Sequence, residues 1–179
     1  MTQRESPSQT AGPYVHIGLM PNHAGLPGLY DGDLGAGPIM AEGQPVTLRG
    51  RILDGEGASV TDAVLEVWQA DGTGTPGIWA RRSTDGPDGD WVLDTVRPGP
   101  MRFDGGWMAP HIALWIVARG INLGLQTRIY FPEDDHSADA VLAQVPPGRR
   151  RTLMAVPDAD GYRFDIHLQG PDETVFLNI

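Results

Sequence analysis

Apolar and polar side chains alternate along several short stretches of the chain, which is the pattern of strands that bury one face. The first stretch covers residues 46–52, and the clearest covers residues 162–168, where Tyr, Phe, Ile and Leu alternate with Arg, Asp and His. Further strands are predicted at 63–68, 91–96, 111–118, 125–131, 151–156 and 174–179, with turn-forming Gly, Asp or Pro between many of them. About eight short strands at this spacing are typical of an all-β protein, an antiparallel β-sandwich.

The sequence predicts at most one short helix and an extended N-terminal arm. The helix covers residues 137–144, with Ser137 as its N-cap and a Val-Pro-Pro sequence as its stop. In residues 1–45, Gly and Pro recur so often that neither a helical nor a strand period survives. This segment also contains Tyr14 and several aliphatic residues, too many for a solvated tail. We therefore predict a docking arm over 1–45 and a β-sandwich core over 46–179.

Composition and charge exclude several classes of protein. Cysteine is absent, which excludes a disulfide framework, a thiolate metal site and a cysteine nucleophile. The net charge of −10 argues against nucleic-acid binding, which depends on clustered Lys and Arg. No apolar run approaches the roughly 20 residues of a membrane span, and the N-terminus lacks the apolar core of a signal peptide. We expect a cytoplasmic protein with no nucleic-acid or membrane partner.

Candidate catalytic residues are few. The five histidines are not paired at the spacing of metal ligands on a strand or helix, and no serine lies in a Gly-x-Ser-x-Gly sequence. His111 opens the most apolar predicted strand, where a half-buried imidazole bonded to the backbone is the simplest interpretation. Arg119 follows the same strand directly and must pair with a carboxylate or with a ligand. The residues alone leave these two alternatives for Arg119 open.

Several separated motifs, in one order along the chain, carry a resemblance to a known family. They include Thr10-Ala11-Gly12-Pro13-Tyr14, Leu65-Glu66-Val67-Trp68-Gln69-Ala70-Asp71, Ala109-Pro110-His111-Ile112-Ala113 and Gly170-Pro171-Asp172-Glu173-Thr174. On these motifs the chain resembles the intradiol ring-cleavage dioxygenases from residue 6 to the C-terminus. The resemblance implies an Fe(III)-dependent enzyme that uses O2 to cleave a catechol between its two hydroxylated carbons. The implied substrate is protocatechuate, a small aromatic acid.

The resemblance also implies where iron ligands would lie, and this sequence lacks most of them. The family binds iron through two tyrosines and a His-x-His pair. The corresponding positions are occupied here by Pro76, Met101, His111 and Ala113. Met108 stands where the family has an arginine. A single neutral imidazole does not hold ferric iron, so we expect a degenerate site that binds no metal. The Fe(III) would then be bound by a homologous beta subunit, the partner in an alpha-beta hetero-oligomer.

By the same resemblance, the arm completes the substrate pocket of that beta subunit. Four arm residues are implied to reach the pocket: Thr10, Gly12, Pro13 and Tyr14. Arg119 matches an arginine near that pocket and would attract the anionic substrate. His111 is then a structural remnant, and no catalytic residue lies in this chain alone. Two alternatives are a self-sufficient dioxygenase with unusual ligands and a stand-alone β-sandwich binding or assembly module that has lost the chemistry.

Overall fold

The computed structural model describes residues 9–33, 35–103 and 106–178, and strands dominate them, which confirms the predicted all-β fold class. The strands are β1 (Pro45–Leu53), β2 (Val64–Ala70), β3 (Pro76–Ser83), β4 (Asp90–Val96), β5 (Met101–Phe103), β6 (Gly106–Met108), β7 (His111–Val117), β8 (Leu125–Tyr130), β9 (Val156–Asp158), β10 (Gly161–Arg163) and β11 (Ile166–His167). The helices are α1 (Val15–Leu19), α2 (Ala140–Gln144) and a 3₁₀ helix (Pro147–Leu153).

Two sheets pack face to face. One has the strand order β3-β2-β7-β8, and every neighbouring pair in it is antiparallel. The other is built on β1, which pairs with β4 in the antiparallel sense and with β10 and β11 in the parallel sense. These two parallel pairings add to the antiparallel sandwich that the sequence predicts. The pair β5–β6 forms a separate short hairpin beside the start of β7.

The core lies between the two sheets because the alternating apolar residues of each strand point inwards. Leu48 and Ile52 of β1 are completely buried, as the alternation in that strand predicts. The same cluster contains Leu65, Val67, Trp91, Leu93, Ile112, Leu114, Ile116 and Ile129. A smaller cluster around Tyr130 and Leu142 packs α2 and the 3₁₀ helix against the end of the sheet.

In the part of the chain that the structure describes, three short helical segments replace the single helix that the sequence predicts. In α2 the N-cap is Asp139 instead of Ser137, because the Asp139 carboxylate accepts hydrogen bonds from the backbone N–H groups of Val141 and Leu142 at 3.0 and 2.8 Å. The strand predicted at 151–156 is wrong over most of its length, since residues 151–153 belong to the 3₁₀ helix that begins at Pro147. Among the described residues no helix is long and apolar enough to cross a bilayer.

Other differences lie at strands whose pattern is weak. Strands β3, β5 and β6 form where the sequence predicts no strand. The strand predicted at 174–179 is also wrong over 174–178, which packs through single hydrogen bonds instead of a ladder. In this segment the Leu177 N–H donates to the Gln126 carbonyl at 2.7 Å, and the Thr127 hydroxyl donates to the Val175 carbonyl at 2.9 Å. Residue 179 lies outside the described residues, as do residues 1–8 of the predicted arm.

The described part of the N-terminal segment lies against the sandwich. It contains α1, where the sequence predicts no helix, and Met20 directly after α1 is buried. The backbone of Gly35 accepts a hydrogen bond from the Arg81 N–H of β3 at 2.8 Å. Further back, Ala11 forms an isolated parallel bridge with Arg119. The segment therefore crosses the four-stranded sheet from the end of β7 to edge strand β3.

Candidate functional site

The arm residues of the sequence prediction and Arg119 meet at one edge of the sandwich. The bridge between Ala11 and Arg119 places Thr10 and Gly12 beside the chain that leaves β7. Pro13 follows in the turn before α1, and Tyr14 is the N-cap residue of that helix. The Tyr14 residue is 73 % exposed. An aromatic residue this exposed can contact another chain or a small molecule without any rearrangement of the core.

Arg119 has a carboxylate partner. Its Nε lies 3.2 Å from Oδ2 of Asp62, which is mostly buried, whereas most of the arginine side chain is exposed. The two residues border an open cleft of about 620 Å³, lined chiefly by residues 59–62 and 119–123. A guanidinium has five N–H donors, so a single contact with Asp62 leaves others for an anion. The structural ion pair that the sequence leaves open is therefore present, beside a cleft that a ligand can enter.

A second ion pair fixes the arm on the sheet. The Nε and Nη2 of Arg81 donate to one oxygen of Glu66 at 2.9 and 2.7 Å, and Nη1 donates to the Leu19 carbonyl at 3.1 Å. Leu19 is the last residue of α1, so this bond ties the helix to β2 and β3. The Arg81 and Glu66 side chains are only 16 and 17 % exposed, which protects the pair from screening by solvent. Sequence reasoning missed this anchor because it predicted no strand at Arg81.

A polar cluster joins His23, in the loop after α1, to Ser83 and Asp85 at the end of β3. It resembles a catalytic triad only in composition. His23 Nε2 lies 3.2 Å from Asp85 Oδ1 and 3.3 Å from Ser83 Oγ, and Ser83 donates to the same oxygen of Asp85. A proton relay needs the two different nitrogens of the imidazole, one for serine and one for aspartate. Burial opposes the effect, but the hydrogen bonds from Ser83 and His23 hold the pKa of Asp85 below its ordinary value. The cluster clamps the loop to β3.

The positions of the degenerate metal site are only partly gathered in space. His111 and Ala113 lie on one face of β7, because residues two apart in a strand point to the same side. Met101 and Met108 face each other in the β5–β6 hairpin. Pro76 opens edge strand β3, which is separated from β7 by β2.

His111 is a buried, neutral imidazole. It is 7 % exposed, and its Nδ1–H donates to the Ala109 carbonyl at 2.8 Å. Burial and, to a smaller extent, the positive charge of Arg128 lower the pKa of His111 from 6.5 to about 4. The prediction of an imidazole bonded to the backbone is thus confirmed, although the ring is buried more completely than the sequence predicts.

Tyr130 stands opposite His111 in the strand register and is also fully buried. Its hydroxyl donates to Asp139 Oδ1 at 3.3 Å and accepts from Arg128 Nη1 at 3.3 Å. Burial raises the pKa of Tyr130 to about 12, so the side chain remains a protonated phenol at neutral pH. The Asp139 carboxylate is occupied by the backbone N–H groups of α2 and of Ala109.

These residues do not fit a ferric ion. Fe(III) is a hard cation that prefers anionic oxygen and imidazole ligands. The side chains at these positions are the soft thioethers of Met101 and Met108, the imidazole of His111 and the methyl group of Ala113, so only one suitable ligand is present. Within the described ranges, no three His, Asp or Glu side chains form a group that can hold a metal ion. With one imidazole and no anionic oxygen ligand, the four positions do not fit Fe(III).

Comparisons with known proteins identify the family of this chain. The family model described as Dioxygenase matches residues 37–170. The protocatechuate 3,4-dioxygenase alpha chain of Pseudomonas putida is 43 % identical over 196 residues, which cover 97 % of this chain and 96 % of that one. The protocatechuate 3,4-dioxygenase beta chain of Burkholderia cepacia is 28 % identical over 158 residues, which cover 74 % of this chain and 67 % of that one.

A solved structure shares the fold. The crystal structure of hydroxyquinol 1,2-dioxygenase from Pseudomonas putida aligns with a TM-score of 0.62 at 23 % identity. The alignment covers 79 % of this chain and 63 % of the other, longer chain. The family match spans most of the sandwich, and the alpha-chain relative matches almost from end to end. The resemblance seen in the motifs is thereby confirmed, and the chain belongs to the intradiol ring-cleavage dioxygenase family.

Proposed function

We propose that this chain is the alpha subunit of a protocatechuate 3,4-dioxygenase and that its homologous beta subunit binds the Fe(III). The complex cleaves protocatechuate between its two hydroxylated carbons, and both atoms of O2 enter the product, 3-carboxy-cis,cis-muconate. The observation that carries the proposal is that His111 is the one iron-binding side chain at the four ligand positions, although the chain belongs to an iron-dependent family. The 43 % identity to an alpha chain, which extends over almost the whole length of both chains, supports the same assignment.

The arm then acts at the substrate pocket of the beta subunit. Its exposed Tyr14 and the guanidinium of Arg119 lie at the same edge, linked by the Ala11 bridge. A phenol can hydrogen-bond a carboxylate or pack on a ring, and a guanidinium attracts an anionic aromatic acid. The Arg81–Glu66 pair holds α1 in place, so the arm meets the partner as an ordered surface. The backbone runs towards the pocket through Thr10, Gly12 and Pro13, and the proline ring restricts its flexibility.

Co-expression with a beta-type homologue tests the assignment. We expect the two chains to copurify and to consume protocatechuate and O2 in equal amounts, whereas this chain alone cleaves no substrate. Ring cleavage by this chain alone would contradict the proposal and would favour a self-sufficient dioxygenase. A chain that stays separate from the homologue would instead favour a stand-alone binding or assembly module.

Tyr14→Phe tests the role of the arm in the active complex. Loss of one hydrogen bond to substrate, worth about 1 kcal/mol, should raise KM about fivefold. Iron content and assembly should not change, because Tyr14 is exposed and makes no core contact. Tyr30→Phe is the matched control, since Tyr30 is a half-exposed tyrosine of the same segment. An unchanged KM in Tyr14→Phe, or an equal rise in Tyr30→Phe, would refute the contact between the arm and the substrate.

A further inference from the structure

Arg128 is a buried cation with no carboxylate partner among the described residues. It is 6 % exposed, and none of the ion pairs found there includes it. Its Nε is buried without a hydrogen-bond partner. Its Nη1 lies 3.3 Å from the Tyr130 hydroxyl and 3.7 Å from the sulfur of Met108. Burying a guanidinium in this way is costly, so its position calls for an explanation.

The strand register places this cation at the degenerate metal site. In the β7–β8 pair, Ala113 is opposite Arg128 and His111 is opposite Tyr130. Side chains two residues apart share a face, and directly opposed side chains have Cβ atoms about 5 Å apart. Ala113 occupies the position of the second histidine of the His-x-His pair. Its small methyl group leaves room for the long side chain opposite.

The groups around Arg128 are arranged for a fixed positive charge. The Tyr130 hydroxyl accepts a hydrogen bond from Nη1 of Arg128 and donates one to the Asp139 carboxylate. The carboxylate therefore balances the guanidinium through the phenol instead of by direct contact. His111 remains neutral beside it, with its Nδ1–H on the backbone. A positive centre next to an imidazole and a tyrosine is also what a metal ion would provide here.

We propose that Arg128 is a built-in replacement for the metal ion of the degenerate site. Its guanidinium supplies the positive charge around which Tyr130 and Asp139 are organised, and it repels any cation that approaches His111. The inference rests on the part of the proposed function that assigns no iron to this chain. It follows that restoring a histidine at position 113 is not sufficient to restore metal binding, since the cation opposite it must also be removed.

Co²⁺ binding to the full chain tests this inference, with equilibrium dialysis and visible absorption as readouts. The variants are Ala113→His alone and Ala113→His combined with Arg128→Gln. We expect the combined variant to bind Co²⁺ at least tenfold more tightly than Ala113→His alone. Ala113→His combined with Arg163→Gln is the control, because it removes the same charge from an exposed arginine and should gain no affinity.

Two results would overturn the inference. One is equal Co²⁺ affinity in Ala113→His with and without Arg128→Gln, and the other is a folded combined variant that binds no Co²⁺. If histidine at position 113 prevents folding, the smaller Ala113→Asp takes its place. Its carboxylate should pair with Arg128 and raise the melting temperature, and an unchanged or lower melting temperature would contradict the proposed cation. These measurements use this chain alone, so they can fail while the activity of the alpha-beta complex still supports the proposed function.

Discussion

Acid should destabilise this fold through His111, over a pH range that the buried imidazole sets. The ring is 7 % exposed and lies with its centre 5.7 Å from that of Tyr130. Burial, followed by the charge of Arg128, lowers the pKa of His111 from 6.5 to about 4 in the folded chain. In the unfolded chain the same group titrates near its ordinary value, so the unfolded chain takes up the proton first. Stability is therefore full above pH 6.5 and is lost as the pH falls towards 4.

The size of this effect follows from the two pKa values of His111. One pH unit of differential proton binding is worth about 1.4 kcal/mol. Between pH 7.5 and 4.5 the linkage removes about 2.5 kcal/mol from the free energy of unfolding. A loss of this size is measurable, because single domains have a total stability of about 5 to 15 kcal/mol.

Urea unfolding at both pH values, followed by tryptophan fluorescence, measures the contribution of His111. His111→Asn keeps an amide that can donate to the Ala109 carbonyl but removes the titrating group. We expect the loss of stability between pH 7.5 and 4.5 to be about 2.5 kcal/mol smaller in His111→Asn than in the wild type. His167→Asn, on the short outer strand β11, is the control and should retain the wild-type loss. Equal losses in the wild type and His111→Asn would refute the reasoning.

The anchor of the arm and the close packing of β1 give two further predictions. Glu66→Gln leaves Arg81 in a mostly buried site without its counter-charge and should cost about 2 kcal/mol of unfolding free energy in urea. Asp172→Asn, at an exposed ion pair, should cost less than about 1 kcal/mol, and equal costs would contradict the role of burial. Gly50→Ala would place a Cβ 1.8 Å from a neighbouring carbonyl oxygen and should lower the melting temperature by more than about 10 °C. Gly18→Ala meets no atom within 4 Å, and an equal fall there would show that the clash is not the cause.

The strands could be predicted where one face of the strand is buried and the other is solvated. β1 and β4 alternate in this way, and their predicted bounds agree with the structure to within one residue at each end. β3 was missed because it follows a Gly- and Pro-rich loop and carries two arginines that bind the arm. α1 has only five residues and is held by contacts with the sheet, so its sequence carries no helical period.

In the candidate site too, residues could be predicted where they belong to one local motif and not where tertiary structure brings them together. His111 and Ala113 could be placed from a motif in one strand, and the carboxylate partner that Arg119 needs could be anticipated from its position. The sequence could not show that this partner is Asp62, because the contact depends on how the ends of two strands meet. Arg128 was missed for the same reason, since only the register of β7 and β8 sets it opposite Ala113.

Iron content, measured on this chain alone and on its complex with a beta-type homologue, tests the central claim most directly. The account predicts a colourless chain without iron, and a complex with one iron per alpha-beta pair and the red-brown colour of tyrosinate bound to Fe(III). Stoichiometric iron in this chain alone, or two iron ions per pair in the complex, would contradict it.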